Sequence, residues 1–242
     1  MDKKLVRISE AAAMLGVTAQ TLRNWEKTGR LRAERSSGGQ RYYAVADLKR
    51  LIINLAELGW SWAASAQAPE LPDEYYCERP DRFSSRLEKM AIALEAALGS
   101  DETDNVSLLT QVAGEIGDNS FAHNIGNWPD IPGVFFAYDA ISRLIVLADR
   151  GQGVRATLRR VRPEIENDIE ALRIAFTEVI SGRDPEKRGN GLKVVRSVAE
   201  QYSIGLKFRS GLGTVTVPKE PGVMRIAQAK ENVRGAYAII TF

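Results

Sequence analysis

The stretch ISEAAAMLGVTAQTLRNWEKTGRL, residues 8–31, decides how the amino-terminal part of the chain folds. Ser9 can cap a short helix over Glu10 to Leu15, and Gly16 can supply the positive φ that ends it. Thr18 can cap a second helix, Ala19 to Lys27, closed by Gly29. Leu22 and Trp25 share the apolar face of that helix, which makes them core residues rather than contacts. Two short helices about a glycine turn predict a helix-turn-helix. Working outward, Arg32–Arg35 and Arg41–Val45 read as strands around Ser36-Ser37-Gly38-Gly39-Gln40, a small wing. Asp47 can then cap a third helix bearing Leu48, Leu51, Ile52 and Leu55.

Charge separates this region from the rest. Residues 1–50 hold four Lys and seven Arg against five acidic residues, a surplus of six positive charges. The remainder of the 242 residues holds 22 basic and 26 acidic side chains, so the total of +2 conceals two parts of opposite sign. Such asymmetry fits a nucleic-acid module joined to a different one, although a solvated basic surface gives the same count. With 44% hydrophobic residues, the chain has apolar material enough for a core and is not disordered. One cysteine and one histidine exclude an internal disulfide, a cysteine-rich zinc site and paired-histidine metal chemistry. Arg7 and Glu10 interrupt the amino terminus before a signal-type apolar run develops. The least charged long stretch, Leu51–Ala68, contains Asn54, Glu57, Ser61, Ser65 and Gln67, too polar for a membrane span of about 20 apolar residues. A cytoplasmic protein with no membrane partner is the expectation.

Residues 8–31, followed by GGQRYYAVADLKRL at residues 38–51, resemble the winged helix-turn-helix of MerR-type regulators over about the first 60 residues. The resemblance implies double-stranded DNA as partner and a homodimer acting on near-palindromic sites. It places Thr18, Gln20, Thr21, Arg23 and Asn24 on or near the groove-facing side of a recognition helix, and Arg41 and Tyr42 in the wing. The chemistry agrees, since Arg reads guanine edges bidentately while Thr, Tyr and Lys mostly hold phosphates. Lys27, Arg30 and Arg35 read equally well as solvated charges.

Asp73–Arg82, preceded by Pro69 and Pro72 and containing Pro80, reads as a linker in which Cys77 is a free, incidental thiol. Ser84–Leu98 carries Leu87, Met90, Ala91, Leu94 and Leu98 at helical spacing, suited to a partner chain or to the next unit.

The second part carries the sharper chemistry. Ser107–Asn124 has a helical apolar period, and along it Glu115, Asn119 and His123 recur every four residues, setting a carboxylate, an amide and an imidazole in a row. Strands are expected at Val134–Tyr138 and Ser142–Ala148, the second ending at Asp149-Arg150-Gly151-Gln152-Gly153. A helix over Asn167–Ile180 leads to the charged loop Gly182–Arg188, and Gly189-Asn190-Gly191-Leu192 opens another helix. Strands near Leu206–Ser210, Thr214–Pro218, Met224–Lys230 and Ala236–Phe242 close the chain.

Singly, these glycine turns mean little. In this order they resemble the GHKL, or Bergerat-fold, ATP-binding domain shared by gyrase, histidine kinases and MutL. The resemblance implies ATP and Mg²⁺ as cofactors, with Asn119 holding the metal and Glu115 orienting and deprotonating the attacking water. Asp149 would accept the adenine amino group, and Gly151 and Gly153 would let the base approach the backbone. Gly189, Gly191 and Leu192 would meet the phosphates at a helix N-terminus, Thr214 would reach the adenine, and the segment between Gly153 and Gly189 would be a lid. Two departures stand out. Many members carry Lys or Arg three residues after the metal-holding Asn, where this chain has Ala122, so Lys187 or Arg188 could substitute. The only histidine, His123, lies inside the nucleotide helix, which excludes self-phosphorylation in the histidine-kinase manner and leaves it a pocket wall or a structural residue.

The expected architecture is α+β: a winged helix-turn-helix at 1–65, a linker and connecting helix at 66–103, and at 104–242 an α/β sandwich with a mixed, mainly antiparallel sheet. The expected function is a DNA-binding transcription regulator modulated by Mg²⁺–ATP binding or slow hydrolysis. An anti-sigma-like serine kinase acting on a partner protein and a DNA-acting ATPase are the alternatives.

Overall fold

A computed structural model describes residues 4–29, 31–140, 142–179 and 191–242. The chain opens with β1 (Leu5–Arg7), which runs straight into α1 (Ile8–Leu15). Because a strand feeds this helix directly, its N-cap is Arg7, not Ser9, and no side chain caps it. Gly16, at φ 64°, ends α1. Thr18 caps α2 (Ala19–Lys27), its hydroxyl accepting the Thr21 N–H at 3.0 Å. The wing strands β2 (Ala33–Arg35) and β3 (Arg41–Ala44) pair antiparallel, and β1 adds to the other side of β3. From β3 the chain passes without a break into α3 (Val45–Ala64), so Ala44 is the N-cap and Asp47 lies in the first turn instead of capping it.

The stretch expected to be a linker is part of the fold. Its β4 (Tyr76–Cys77) pairs with β5 (Val134–Asp139) as the edge of a second sheet, and α4 (Pro80–Leu98) packs on α5 (Thr103–Asn124). Tyr75, Cys77 and Phe83 explain the difference: set among prolines, they are nonetheless buried, and apolar burial outweighs the turn signals around them. β6 (Leu144–Asp149), α6 (Gly153–Leu158), α7 (Asp168–Thr177), α8 (Gly191–Gln201), β7 (Gly205–Val217) and β8 (Arg225–Thr241) follow. The sheet order is β4-β5-β6-β8-β7, and every pairing among the described strands is antiparallel, where a mixed sheet was expected. The four short closing strands are two long ones, paired as a hairpin whose register shifts around Gly211.

Both faces of this sheet are covered. Val134, Phe136, Ile145 and Leu147 point into the cluster shared with α4, α5 and α8. Phe135, Ala137, Val146 and Ala148 point the other way, into the core of the helix-turn-helix, with Leu22, Trp25, Leu48 and Trp62. Central strands buried on both faces lose polar alternation, which is why β5 and β6 read as continuous apolar runs. Gly59 lets α3 approach, since a Cβ there would lie 2.9 Å from the Phe135 ring and 3.0 Å from Val146. No helix among the described residues is long and apolar enough to cross a membrane.

Candidate functional site

On α2, Leu22 and Trp25 are buried, as expected of core residues, and the opposite side is polar. There Gln20 Nε2 donates to Asn24 Oδ1 at 3.1 Å, Arg23 Nη1 donates to Gln20 Oε1 at 3.2 Å, and the Thr18 and Thr21 hydroxyls meet at 2.9 Å. These side chains make up the polar strip of α2 as two hydrogen-bonded groups, Arg23–Gln20–Asn24 and Thr18–Thr21. The wing is tied to the same helix, because Arg41 Nε and Arg35 Nη2 both donate to the Glu26 carboxylate, at 2.7 and 2.9 Å. The hydrogen bonds from Arg41 and Arg35 hold the Glu26 carboxyl below its ordinary range. Tyr42, also in the wing, donates its hydroxyl to Gln40 Oε1 at 3.4 Å. Arg35 is therefore a structural partner of Glu26, which gives it a role beyond a solvated charge.

A second constellation lies on the helical side of the sheet. Ile116, Asn119, Ser120, His123 and Asn124 of α5 face Asp149 and Gly153 across a cavity closed by Val154, Thr157, Leu158, Glu178, Gly191, Leu192, Phe208, Gly235 and Ala236. Its volume, about 110 Å³, is several times the ~10–15 Å³ that holds one water. At its base the Asp149 carboxylate is buried and held on three sides: Ser120 Oγ donates to Oδ2 at 2.7 Å, the Gly151 N–H donates to Oδ1 at 2.8 Å, and the Ala236 N–H donates as well. Burial pushes the carboxyl up from 3.8 to about 6, and those three donors offset only part of the rise. Gly235, at φ 60°, is required here, since a Cβ would collide with Asp149 Oδ1. The walls are pinned by Gln152 N–H to Asn124 Oδ1 at 2.8 Å, Val154 N–H to Ser210 Oγ at 3.0 Å and Ser210 Oγ to the Gly235 carbonyl at 2.6 Å.

Most of the expected site residues converge. Asn119, Asp149, Gly153, Gly191 and Leu192 line the cavity. Glu115 sits one turn before Asn119 at the cavity's edge, and Gly191 abuts both: a Cβ on Gly191 would lie 2.7 Å from Asn119 Nδ2 and 2.9 Å from Glu115 Oε2. Gly151 contributes its backbone to Asp149 rather than a surface to the cavity. Gly189, Lys187 and Arg188 lie outside the described residues. Thr214 does not reach the cavity. It pairs with Ala227 in the outer part of the β7–β8 hairpin, and Gly213 lies against Asp168 and Leu172 of α7, so that turn seats a helix. The glycine that meets Asp149 is Gly235, because Ala148 pairs with Tyr237 and the register brings the middle of β8, not β7, alongside. Sequence reasoning also missed Ser120, Asn124 and Ser210. The first two sit on the same helix as Asn119, one and five residues on, and were open to discovery; Ser210 carries no local signal.

Cys77 is buried, and burial raises its thiol above the ordinary range, consistent with an unreactive free cysteine.

Residues 7–43 match the family model described as MerR family regulatory protein. That match supports a DNA-binding, transcription-regulating role for the segment that holds α1, α2 and the wing. No curated protein and no solved structure matches the chain.

Proposed function

We propose that the chain is a DNA-binding transcription regulator whose second unit binds Mg²⁺–ATP in the cavity around Asp149. The DNA half rests on the matched segment and on the polar strip of α2, with Arg23 reading base edges and Arg41 and Tyr42 set beside it by the wing. The nucleotide half is carried by one observation: a buried carboxylate, oriented by three donors, at the base of a cavity walled by glycines and apolar side chains. A carboxylate held in this way favours a ligand amino group and disfavours a carbonyl, which separates adenine from guanine. The donor set fits the rest of a nucleotide. Gly191, the first described residue of α8, lies close against Asn119 and Glu115, and anionic oxygens would meet its backbone N–H once the nucleotide parts these groups. Asn119 would offer its amide oxygen to Mg²⁺, a hard cation that needs few protein ligands when phosphates supply the others. Glu115, one turn away, would hold a water and take its proton. ATP supplies, when bound, a γ-phosphate whose presence or loss distinguishes two states. The chain's part is to bind the base, order Asn119 and Glu115, and pass the difference to α3. By the family resemblance, a homodimer is the working assembly, in a cytoplasmic setting.

The test is calorimetric titration of the full chain with Mg²⁺–ATP and Mg²⁺–GTP, beside anisotropy with a duplex selected by the protein from a random-sequence library. Saturable binding of ATP well above GTP, and duplex binding that weakens steeply with salt, are expected. Duplex binding without ATP binding overturns the nucleotide half alone, and a flat salt dependence overturns the DNA half.

A further inference from the structure

Where β6 ends and again on β8, two consecutive residues divide between the cavity and the helix-turn-helix side of the sheet. Strand side chains alternate sides, so a residue beside the cavity has a neighbour directed at the opposite face. Asp149 is the base of the cavity, and the next residue, Arg150, turns to α3. Its side chain is fully buried, at 0% exposure. There Nη1 donates to the carbonyls of Trp62 and of Ser65 (2.9 Å), Nη2 donates to the Ala66 carbonyl at 3.2 Å, and Nε donates to Asp130 Oδ2 at 2.6 Å. Arg150 thereby serves as the C-terminal cap of α3, whose own last residues have no basic side chain to satisfy their carbonyls. On β8, Ala236 lines the cavity and gives its N–H to Asp149, while Tyr237 turns to α3 and donates its hydroxyl to the Ala56 carbonyl at 2.8 Å. The Tyr237 ring also packs edge-on against Trp60, 5.4 Å between centroids. At its other end α3 is continuous with wing strand β3.

We infer that Arg150 and Tyr237 are positioning residues that couple occupancy of the Asp149 cavity to the placement of α3, and through it of the wing. The inference rests on the nucleotide reading above. A ligand that draws on Asp149 and the Ala236 backbone acts on the two peptide segments that hold α3, and a change there reaches the helix without crossing any solvent-filled gap. The Arg150 side chain is itself fully buried and bonds the carbonyls at the end of α3 together with Asp130, so a shift at the end of β6 draws on the last turn of α3. Coupling of this kind is reciprocal: nucleotide changes DNA affinity by the factor by which DNA changes nucleotide affinity.

The experiment measures that factor in the full-length wild type, Arg150→Met and Tyr237→Phe, with Mg²⁺–ATP, its nonhydrolysable imido analogue and the selected duplex. In wild type we expect a factor of about fivefold or more, equal in both directions. Arg150→Met should bring it to near unity with each separate affinity retained, and Tyr237→Phe, which removes one hydroxyl, should lower it in part. Hydrogen exchange on wild type should show the backbone amides of the last turns of α3 becoming protected on adding nucleotide. This readout, with Tyr237→Phe, decides the matter if Arg150→Met does not fold. An undiminished factor in folded Arg150→Met, or a Tyr237→Phe protein coupled like wild type with no exchange change in α3, overturns the inference and leaves nucleotide binding standing. Wild type that binds both ligands without mutual effect overturns it as well. Wild type that binds no nucleotide overturns both.

Discussion

The polar strip of α2 and the cavity around Asp149 are both networks of hydrogen-bonded side chains, yet they are assembled in opposite ways. On α2 the partners are three or four residues apart and largely exposed: Thr18 with Thr21, Gln20 with Asn24, Arg23 with Gln20. In the cavity they are far apart in sequence and wholly or partly buried: Ser120 with Asp149, Asn124 with Gln152, Ser210 with Gly235. Exposed bonds exchange freely with water and can be traded for bonds to a base or a phosphate at small cost. Buried ones hold their geometry before any ligand arrives, and each unmatched group there is expensive. On the proposed function, the adaptable surface would read a polymer and the preorganised one would select a small molecule.

Asp149→Asn should separate the two most sharply. The substitution keeps the side chain's shape and its bond from Gly151, and Ser120 can redirect its hydroxyl to the Ile116 carbonyl, 3.2 Å away. Losing a charged acceptor should weaken Mg²⁺–ATP binding about 100-fold in calorimetric titration. The same change should stabilise the empty protein. With its carboxyl raised from 3.8 to about 6, the folded state binds more protons than the unfolded state between those values. Wild-type stability therefore falls as pH rises through that interval, by about 3 kcal/mol. Thermal unfolding followed across the same interval should show the decline in wild type and not in the variant, which melts higher at neutral pH. Nucleotide affinity of the wild type should weaken as pH falls through about 6, where the carboxylate is protonated. A variant that melts below wild type at neutral pH would mean that the donors around Asp149 outweigh its desolvation, and the contrast with α2 would narrow.

Arg23→Ala probes the exposed network. On the proposed function Arg23 reads base edges, and its removal should lower affinity for the selected duplex by about tenfold or more, with the melting temperature unchanged. If Arg23 holds a phosphate instead, the log–log salt slope should flatten by about 0.9 and all duplexes should weaken alike. Unaltered DNA binding would remove α2 from the interface.

Gly59→Val tests whether the two networks stand on one core. A branched side chain between α3 and the sheet meets Phe135 and Val146, and overpacking of this kind should cost about 1–3 kcal/mol in denaturant unfolding. Unfolding should remain a single transition, because the helix-turn-helix core and the sheet's second face belong to one cluster. Two transitions would show that the modules fold apart.

The helix-turn-helix was legible because its signals are local. Thr18, Gly16 and the Leu22–Trp25 stripe each act within one turn of themselves. That Asn119 and Asp149 face one cavity was expected for a different reason, from the order of short glycine-bearing segments. What stayed hidden depends on register. Gly213-Thr214 and Gly235-Ala236 are both glycine followed by a small residue, and only the pairing of Ala148 with Tyr237 decides which meets Asp149. The integration of residues 66–103 was hidden likewise, since Pro69, Pro72 and Pro80 signal turns while the burial of Tyr75 and Cys77 depends on a strand more than fifty residues away. Arg150 carried no local signal, because its partners lie at the end of α3 and at Asp130.

Glu26→Gln should give the smallest effect and sets the scale of the exposed network. Glu26 is partly exposed, at 22%, and its partners Arg35 and Arg41 are at 51% and 28%, so the pair is screened by water and salt. The stability lost should be about 0.2–1 kcal/mol. Because the Glu26 carboxyl is depressed below 4.5, that contribution is present in full above the unfolded value and disappears as pH falls through the folded one, the reverse of the Asp149 profile. On DNA the two guanidiniums, released from an internal acid, should raise affinity for random duplex by less than about fivefold and blunt preference for the selected sequence, as the wing loses its tie to α2. Anisotropy on both duplexes at two salt concentrations measures this. A loss larger than that of Arg23→Ala would mean that the wing's placement, not the recognition helix, dominates binding, and the exposed network would then be as preorganised as the buried one.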